Sequence, residues 1–276
     1  MPATVSFEVP SPLGPQTVTV SYERTGVGEP LLLLHGIGHH RQAWDPVVHI
    51  LAAERDVVAV DLPGFGASPA LPGGLTYDLS TTSAVFAAFC ETIGLDRPHV
   101  AGNSLGGLLA LELGREKLVR SVTALSPAGF WNETERRYAF GILHTMRGIS
   151  KRMPLPLVEG LSRSAAGRAA LTSTIYARPG RRSPEAVVAE TLALAGATGF
   201  DDTLRAGGDV LFTDDIPEIP VTVAWGTRDW LLVRRQGIRA KRVIPGARLI
   251  RLPGCGHCPM NDDPALVSRV ILDGSR

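Results

Sequence analysis

The stretch "AGNSLGG" (residues 101–107) sets Ser104 between Gly102 and Gly106 in a G-x-S-x-G pattern, at the junction of two apolar segments. Before it lies "HVAG" (99–102), short enough for a buried strand. After it comes "LLALEL" (108–113), which reads as a helix. A strand that turns sharply into a helix forces the residue at the corner into a strained backbone, and glycines two positions to either side avoid clashes that a Cβ would create. The corner then exposes a serine oxygen at a helix N-terminus, where unpaired N–H groups favour the negative charge that develops in acyl transfer. The plainer alternative is a glycine-rich turn with an ordinary N-cap serine. The strand before it and the helix after it favour the first reading.

Working outward, "LLLL" (31–34) and "DVVAVD" (56–61) read as strands buried on both faces, with a helix between them over Gln42 to Glu54. The alternation continues through "HVAG", the helix after Ser104 and "SVTALS" (121–126), a βαβ rhythm that predicts a mostly parallel sheet. "TVSFEV" and "QTVTVSY" near the N-terminus alternate like a hairpin on a solvated edge, which makes the sheet mixed. Two further strands, "PVTVAW" (220–225) and "RLIRL" (248–252), precede a closing helix from about Pro264 to Leu272. Residues 128–213 break the rhythm, with short helical stretches separated by "MPLP", "RPGRRSP" and "AGGD". The expected architecture is an α/β core of about eight strands, doubly wound, from residues 1–127 and 214–276, with a helical cap inserted at 128–213. There is no internal repeat and no low-complexity segment.

Composition narrows the function. A net charge of +1 with a pI near 7.8 gives no sign of a nucleic-acid or anionic-membrane partner. The N-terminus "MPATVSFEVPSPLG" lacks a basic segment followed by an apolar one, and no apolar run approaches the roughly 20 residues of a membrane span. The expectation is a soluble, cytoplasmic protein with a small-molecule substrate. Three cysteines, an odd number, do not form a disulfide framework, so Cys90, Cys255 and Cys258 are expected as reduced thiols.

With these motifs in view, the chain resembles the α/β-hydrolase family. "LLLLHGIG" (31–38) is similar to the family's HG-containing loop, and "DLPGFGAS" (61–68) to a structural turn after the next strand. The resemblance implies an oxyanion hole formed by the N–H groups of Ile37 and Leu105. A serine hydroxyl is a weak nucleophile at neutral pH and needs a base, which in turn needs a third group to fix its tautomer. In the family's chain order of serine, acid and histidine, "AWGTRDW" (224–230) offers Asp229 after a late strand, and His257 follows the last strand. Asp201, Asp202, Asp209, Asp214 and Asp215 compete for the acid role, but lie in or beside the insertion rather than at a strand end. "GCGHCPMNDDP" (254–264) resembles the family's histidine turn. The Cys255-x-x-Cys258 pair inside it follows the last strand rather than opening an early helix, which argues against a dithiol redox site. A zinc site drawing on His35, His39 and His40 is weaker still. His35 matches the family's structural histidine, while His39 and His40 are expected at the active-site mouth or facing solvent.

The reaction implied is hydrolysis through an acyl-enzyme, with Ser104 attacking a carbonyl carbon, His257 as base and acid, and Asp229 orienting the imidazole. No cofactor or metal is required. Serine at position 104 argues against the dehalogenases and epoxide hydrolases of the fold, which use a carboxylate nucleophile. Residues 131–199 carry ten Arg or Lys and five Asp or Glu, a surplus that either selects anionic substrates or forms a solvated helical face. Phe130, Trp131, Phe140, Leu143 and Met146 are candidates to wall an acyl pocket or to be core of the insertion. Asn103, Trp131, Trp230 and Cys258 are candidate substrate contacts. Three functions stay open: a carboxylic-ester hydrolase, including lactones and thioesters; a carbon–carbon bond hydrolase of the meta-cleavage type, suggested by Asn103 before the serine; and a non-catalytic ligand-binding member. Cys258 after the histidine and Ala43 before Trp44 depart from the carbon–carbon pattern.

Overall fold

The computed structural model describes residues 2–276. Eight strands form one sheet: β1 (Ala3–Val9), β2 (Gln16–Thr25), β3 (Glu29–Leu34), β4 (Arg55–Val60), β5 (His99–Asn103), β6 (Ser121–Leu125), β7 (Val221–Gly226) and β8 (Arg248–Leu252). Their spatial order is β1-β2-β4-β3-β5-β6-β7-β8. The β1–β2 and β2–β4 pairs are antiparallel, and β4 through β8 are parallel, as the solvated hairpin and the buried runs require. In "LLLL" all four leucines are buried, and they alternate between two cores: Leu32 and Leu34 on one face, Leu31 and Leu33 on the other. Val57 to Val60 of β4 divide in the same way. At roughly 1.5–3 kcal/mol per fully buried side chain, such double-faced runs anchor the centre of the sheet.

Helices α1 (Asp45–Leu51), α2 (Leu79–Thr92) and α3 (Leu105–Arg115) connect the early strands, and α9 (Arg235–Val243), α10 (Pro259–Asp262) and α11 (Pro264–Gly274) the late ones. α1 and α11 pack together on one face, while α2 and α3 cover the other. The expected helix over 42–54 is shorter than its apolar pattern. Residues 41–44 form a 3₁₀ turn, and the α-helix begins at Asp45 because Pro46, with its φ preset and no N–H to satisfy, occupies the first turn.

Between β6 and β7 the chain forms α4 (Glu133–Arg152), α5 (Leu155–Ser162), α6 (Ala165–Thr172), α7 (Pro184–Gly196) and α8 (Phe200–Ala206). All five fall within 128–213 and add no strand to the sheet. α4 starts in a reciprocal cap: the Asn132 side chain accepts from Glu135 N–H at 2.9 Å and the Glu135 carboxylate from Asn132 N–H at 3.0 Å. The insertion rests on loops at the C-terminal ends of the strands, with Cys258 N–H donating to Ile175 O at 2.9 Å and Gly199 N–H to Gly64 O at 3.0 Å. Among the described residues no helix is long and apolar enough to cross a membrane.

The chain leaves β3 towards β4 on one side and returns to β5 on the other. The loops after β3 and β5 therefore diverge, opening a crevice at the carboxyl ends of the strands where open α/β sheets bind ligands.

Candidate active site

Ser104 stands at that crevice with φ +56° and ψ −115°, a conformation an L-residue adopts only under constraint. The constraint is visible. Ser104 N–H donates to Leu125 O at 3.0 Å, and Ser104 O accepts from Leu108 N–H at 3.0 Å and Ala128 N–H at 3.1 Å. The glycines beside it are sterically required: a Cβ on Gly102 would lie 2.0 Å from Gly106 O, and one on Gly106 would lie 2.1 Å from Leu34 O. The HG loop passes close by, since a Cβ on Gly36 would come 3.2 Å from that of Ser104. Among the described residues, neither Ile37 N–H nor Leu105 N–H donates a hydrogen bond, and both residues line one cavity with Ser104. Two free donors beside a serine at a helix N-terminus are suited to holding a developing oxyanion.

The acid and base meet across the late loops. His257 Nδ1 lies 2.9 Å from Asp229 Oδ2, and both side chains are buried. Asp229 Oδ1 accepts from Leu231 N–H at 3.0 Å and Leu232 N–H at 2.8 Å, which fixes the carboxylate's rotation and aims its other oxygen at the imidazole. None of the five competing aspartates approaches His257 by an ion pair or hydrogen bond. The one side-chain hydrogen bond of His257 among the described residues is that from Nδ1 to Asp229, and none joins its Nε2 to Ser104 Oγ in this structure. Hydrogen bonds of this kind commonly tighten only in the substrate complex.

The four candidate substrate contacts separate. Trp131 lines the cavity. Asn103 does not: it is buried and spends its whole amide on the protein, Nδ2 donating to Leu125 O at 3.0 Å and His257 O at 2.9 Å, while Oδ1 accepts the Cys258 thiol at 3.4 Å. Cys258 is therefore a partner of Asn103 beneath the histidine. Trp230 is 66% exposed and lies outside the cavity. Of the proposed aromatic and aliphatic wall, Trp131, Phe140 and Leu143 line the cavity, Phe130 is buried elsewhere, and Met146 lines a separate space among the inserted helices.

The three thiols are free. Burial pushes Cys90 and Cys255 up to about 12, and Cys258 well above its ordinary value, the reverse of what a redox dithiol needs. Among the described residues no cluster of three metal-ligating side chains occurs.

His39 and His40 are buried away from solvent, and neither lines the Ser104 cavity. His39 Nδ1 accepts His40 N–H at 3.1 Å, so its Nε2–H faces Tyr176 OH at 3.2 Å, and Tyr176 donates to Glu190 Oε1 at 2.9 Å. Arg182 closes the chain by pairing with Glu190 and donating to Gln42 O at 3.2 Å. This buried network joins the HG loop to the insertion, a role that a lone pair of histidines in sequence could not reveal. Other basic residues of the insertion are similarly engaged: Arg147 donates to Ala197 O at 2.6 Å, and Arg168 to Ser162 O at 2.8 Å. None lines the Ser104 cavity, and Arg137, Lys151, Arg152, Arg163 and Arg181 are exposed, so the basic surplus is divided between internal contacts and a solvated helical face.

His35 has the structural role its position suggests. Nδ1–H donates to Gly36 O at 2.7 Å and Nε2 accepts Leu62 N–H at 3.0 Å, so both bonds require the neutral ring. Burial, chiefly, lowers its pKa to about 4. The unfolded chain then binds the proton more readily between about pH 6.5 and 4, and stability falls as pH drops through that window by on the order of 1.4 kcal/mol per unit. Denaturant midpoints from pH 7 to 4.5 should fall with this sign, to which buried His39 and His99, also lowered by burial, add, and His35→Gln should reduce the slope while lowering stability at pH 7.

The Alpha/beta hydrolase family model matches residues 31–270. The chain belongs to that family. An uncharacterized protein of Mycobacterium tuberculosis is 27% identical over 260 residues, covering 89% of this chain and 74% of the other. A pimeloyl-[acyl-carrier protein] methyl ester esterase of Aeromonas hydrophila is 39% identical over 121 residues, 43% of this chain and 46% of that protein. A thermophilic esterase from Thermogutta terrifontis shares the fold, with a TM-score of 0.75 at 19% identity over 98% of this chain and 97% of that one. This hydrolase of the α/β fold thus carries the glycine-flanked Ser104 corner, the HG loop and the histidine turn within the matched region.

Proposed function

We propose that this α/β hydrolase is a serine hydrolase that cleaves a carboxylic ester, lactone or thioester of a small molecule through an acyl-enzyme. The observation that carries the reading is the strained Ser104 between two glycines that admit no Cβ, beside two unused N–H donors and a buried Asp229–His257 pair. His257 takes the Ser104 proton as the hydroxyl attacks the carbonyl, Ile37 and Leu105 N–H hold the oxyanion, and the imidazolium protonates the leaving alcohol. The same histidine then activates water to release the acid, with Asp229 retaining its carboxylate charge throughout. The relatedness to a methyl ester esterase supports the ester bond. The carbon–carbon reading drew on Asn103, and that side chain is occupied in holding His257 and Cys258.

The cavity gives the acyl group a size. Trp131, Phe140, Leu143, Leu204, Leu231 and Leu232 enclose about 50 Å³. At about 10–15 Å³ of such space per water-sized group, it holds a chain of roughly three to five heavy atoms. Across p-nitrophenyl esters from acetate to laurate, kcat/KM should rise up to about four carbons and gain nothing further beyond, since a methylene that finds no room in the cavity forgoes its roughly 0.8 kcal/mol of burial. The same assay on Ser104→Ala tests the function itself: turnover retained without the serine would overturn the proposal, and a laurate optimum would overturn the pocket assignment.

A further inference from the structure

The imidazole of His257 is held by one hydrogen bond, to Asp229, so its position depends on how its backbone is gripped. Three groups grip it. Asn103 Nδ2 donates to His257 O at 2.9 Å, and the next peptide, Cys258 N–H, donates to Ile175 O at 2.9 Å. On the other side Gly256 N–H donates to Asp262 Oδ2 at 2.7 Å. Asp262 closes α10 and is completely buried, yet among the described residues no cation pairs with its carboxylate oxygens. A buried carboxylate is costly unless its oxygens are hydrogen-bonded. These are: Oδ2 also accepts Ala177 N–H at 3.0 Å, and Oδ1 accepts Arg178 N–H at 2.7 Å.

The two sets of donors come from different parts of the chain. Gly256 adjoins the histidine, whereas Ala177 and Arg178 lie in the insertion between α6 and α7. The segments approach so closely that a Cβ on Gly256 would lie 2.7 Å from Ala177 N. We infer that Asp262 is a positioning residue for His257: its carboxylate locks the histidine turn to the 175–178 segment, so that this edge of the insertion and the imidazole move as one body. The inference rests on His257 being the base for Ser104.

Asp262→Asn tests it with little change of shape. Only one amide atom accepts, so whichever way the group turns, at least one of the three N–H donors faces an NH₂ group. Misplacement of a reacting group by about 1 Å costs on the order of 100-fold. The readouts are the rate of Ser104 labelling by a fluorophosphonate probe and ester turnover per labelled site, which discounts any unfolded fraction. We expect both to fall by roughly 10- to 100-fold with KM within about threefold. Arg181→Ala, which removes a contact to the Asp262 backbone carbonyl and leaves the carboxylate untouched, should label at the wild-type rate. Wild-type labelling in folded Asp262→Asn would overturn the inference. Failure of the wild-type protein to label would instead overturn the assignment of Ser104 and His257. Should Asp262→Asn not fold, amide exchange in the wild type decides: Gly256, Ala177 and Arg178 N–H must be protected together, and rapid exchange at Gly256 alone would overturn the inference.

Discussion

Ser104→Ala is expected to lower kcat for ester hydrolysis by roughly 10⁴- to 10⁶-fold and to abolish fluorophosphonate labelling, with the fold intact. The size follows from mechanism: without Oγ no acyl-enzyme forms, and what remains is polarisation of a bound carbonyl by Ile37 and Leu105 N–H. Ser104→Gly makes the stronger test because it separates chemistry from strain. At φ +56° and ψ −115° a side chain is held against its preference, and glycine tolerates the corner without that penalty. The glycine variant should be as inactive as the alanine one, yet more stable than it by about 1 kcal/mol in chemical denaturation. Activity within tenfold of wild type in either variant would remove Ser104 as the nucleophile. Equal stability of the two would mean that the strain at the corner is no larger than the roughly 0.4–1 kcal/mol that glycine loses through the entropy of the unfolded chain.

The corner was legible because its requirement is local. Gly102, Ser104 and Gly106 must be small, reactive and small at fixed spacing, and the apolar runs around them announce strand and helix. The double-faced strands were legible for a similar reason: "LLLL" and "VVAV" leave no polar face for solvent. α2, "LSTTSAVFAAFCET", was not, because Ser, Thr and Ala spread along it blur the helical stripe, and α9, "RQGIRAKRV", was not, because its charges outnumber the residues it buries. Tertiary packing, not propensity, decides both. The site divides in the same manner. Ser104, Asp229 and His257 stand at strand ends in a recognisable order. Asn103, Cys258 and Asp262 each act through contacts more than 80 residues away in sequence, and a polar residue next to a catalytic one gives no sign whether it faces the substrate or the protein. His39 shows the same limit, since its partners Tyr176 and Glu190 belong to the insertion.

Asp229→Asn should cost about 10⁴ in kcat with little loss of stability, and the surrounding loop explains why the substitution acts through a proton's location. Asp229 Oδ1 already accepts two N–H donors, from Leu231 and Leu232. An asparagine must present its single acceptor oxygen to that pair, because the NH₂ group would oppose both. Its NH₂ then occupies the place of Oδ2 and donates to His257 Nδ1. The ring is driven to carry its proton on Nε2, the atom that has to accept the Ser104 proton, so the base is present in place and in the wrong tautomer. Asp229→Ala is a different lesion: it leaves Nδ1 unconstrained but strands two buried N–H groups, at about 1–3 kcal/mol each in stability if no water replaces the carboxylate. The pair of variants therefore has a signature, with asparagine losing activity at nearly wild-type stability and alanine losing both. An asparagine variant retaining a tenth of wild-type kcat would show that the histidine takes its tautomer from elsewhere, and would remove Asp229 as the acid of the site.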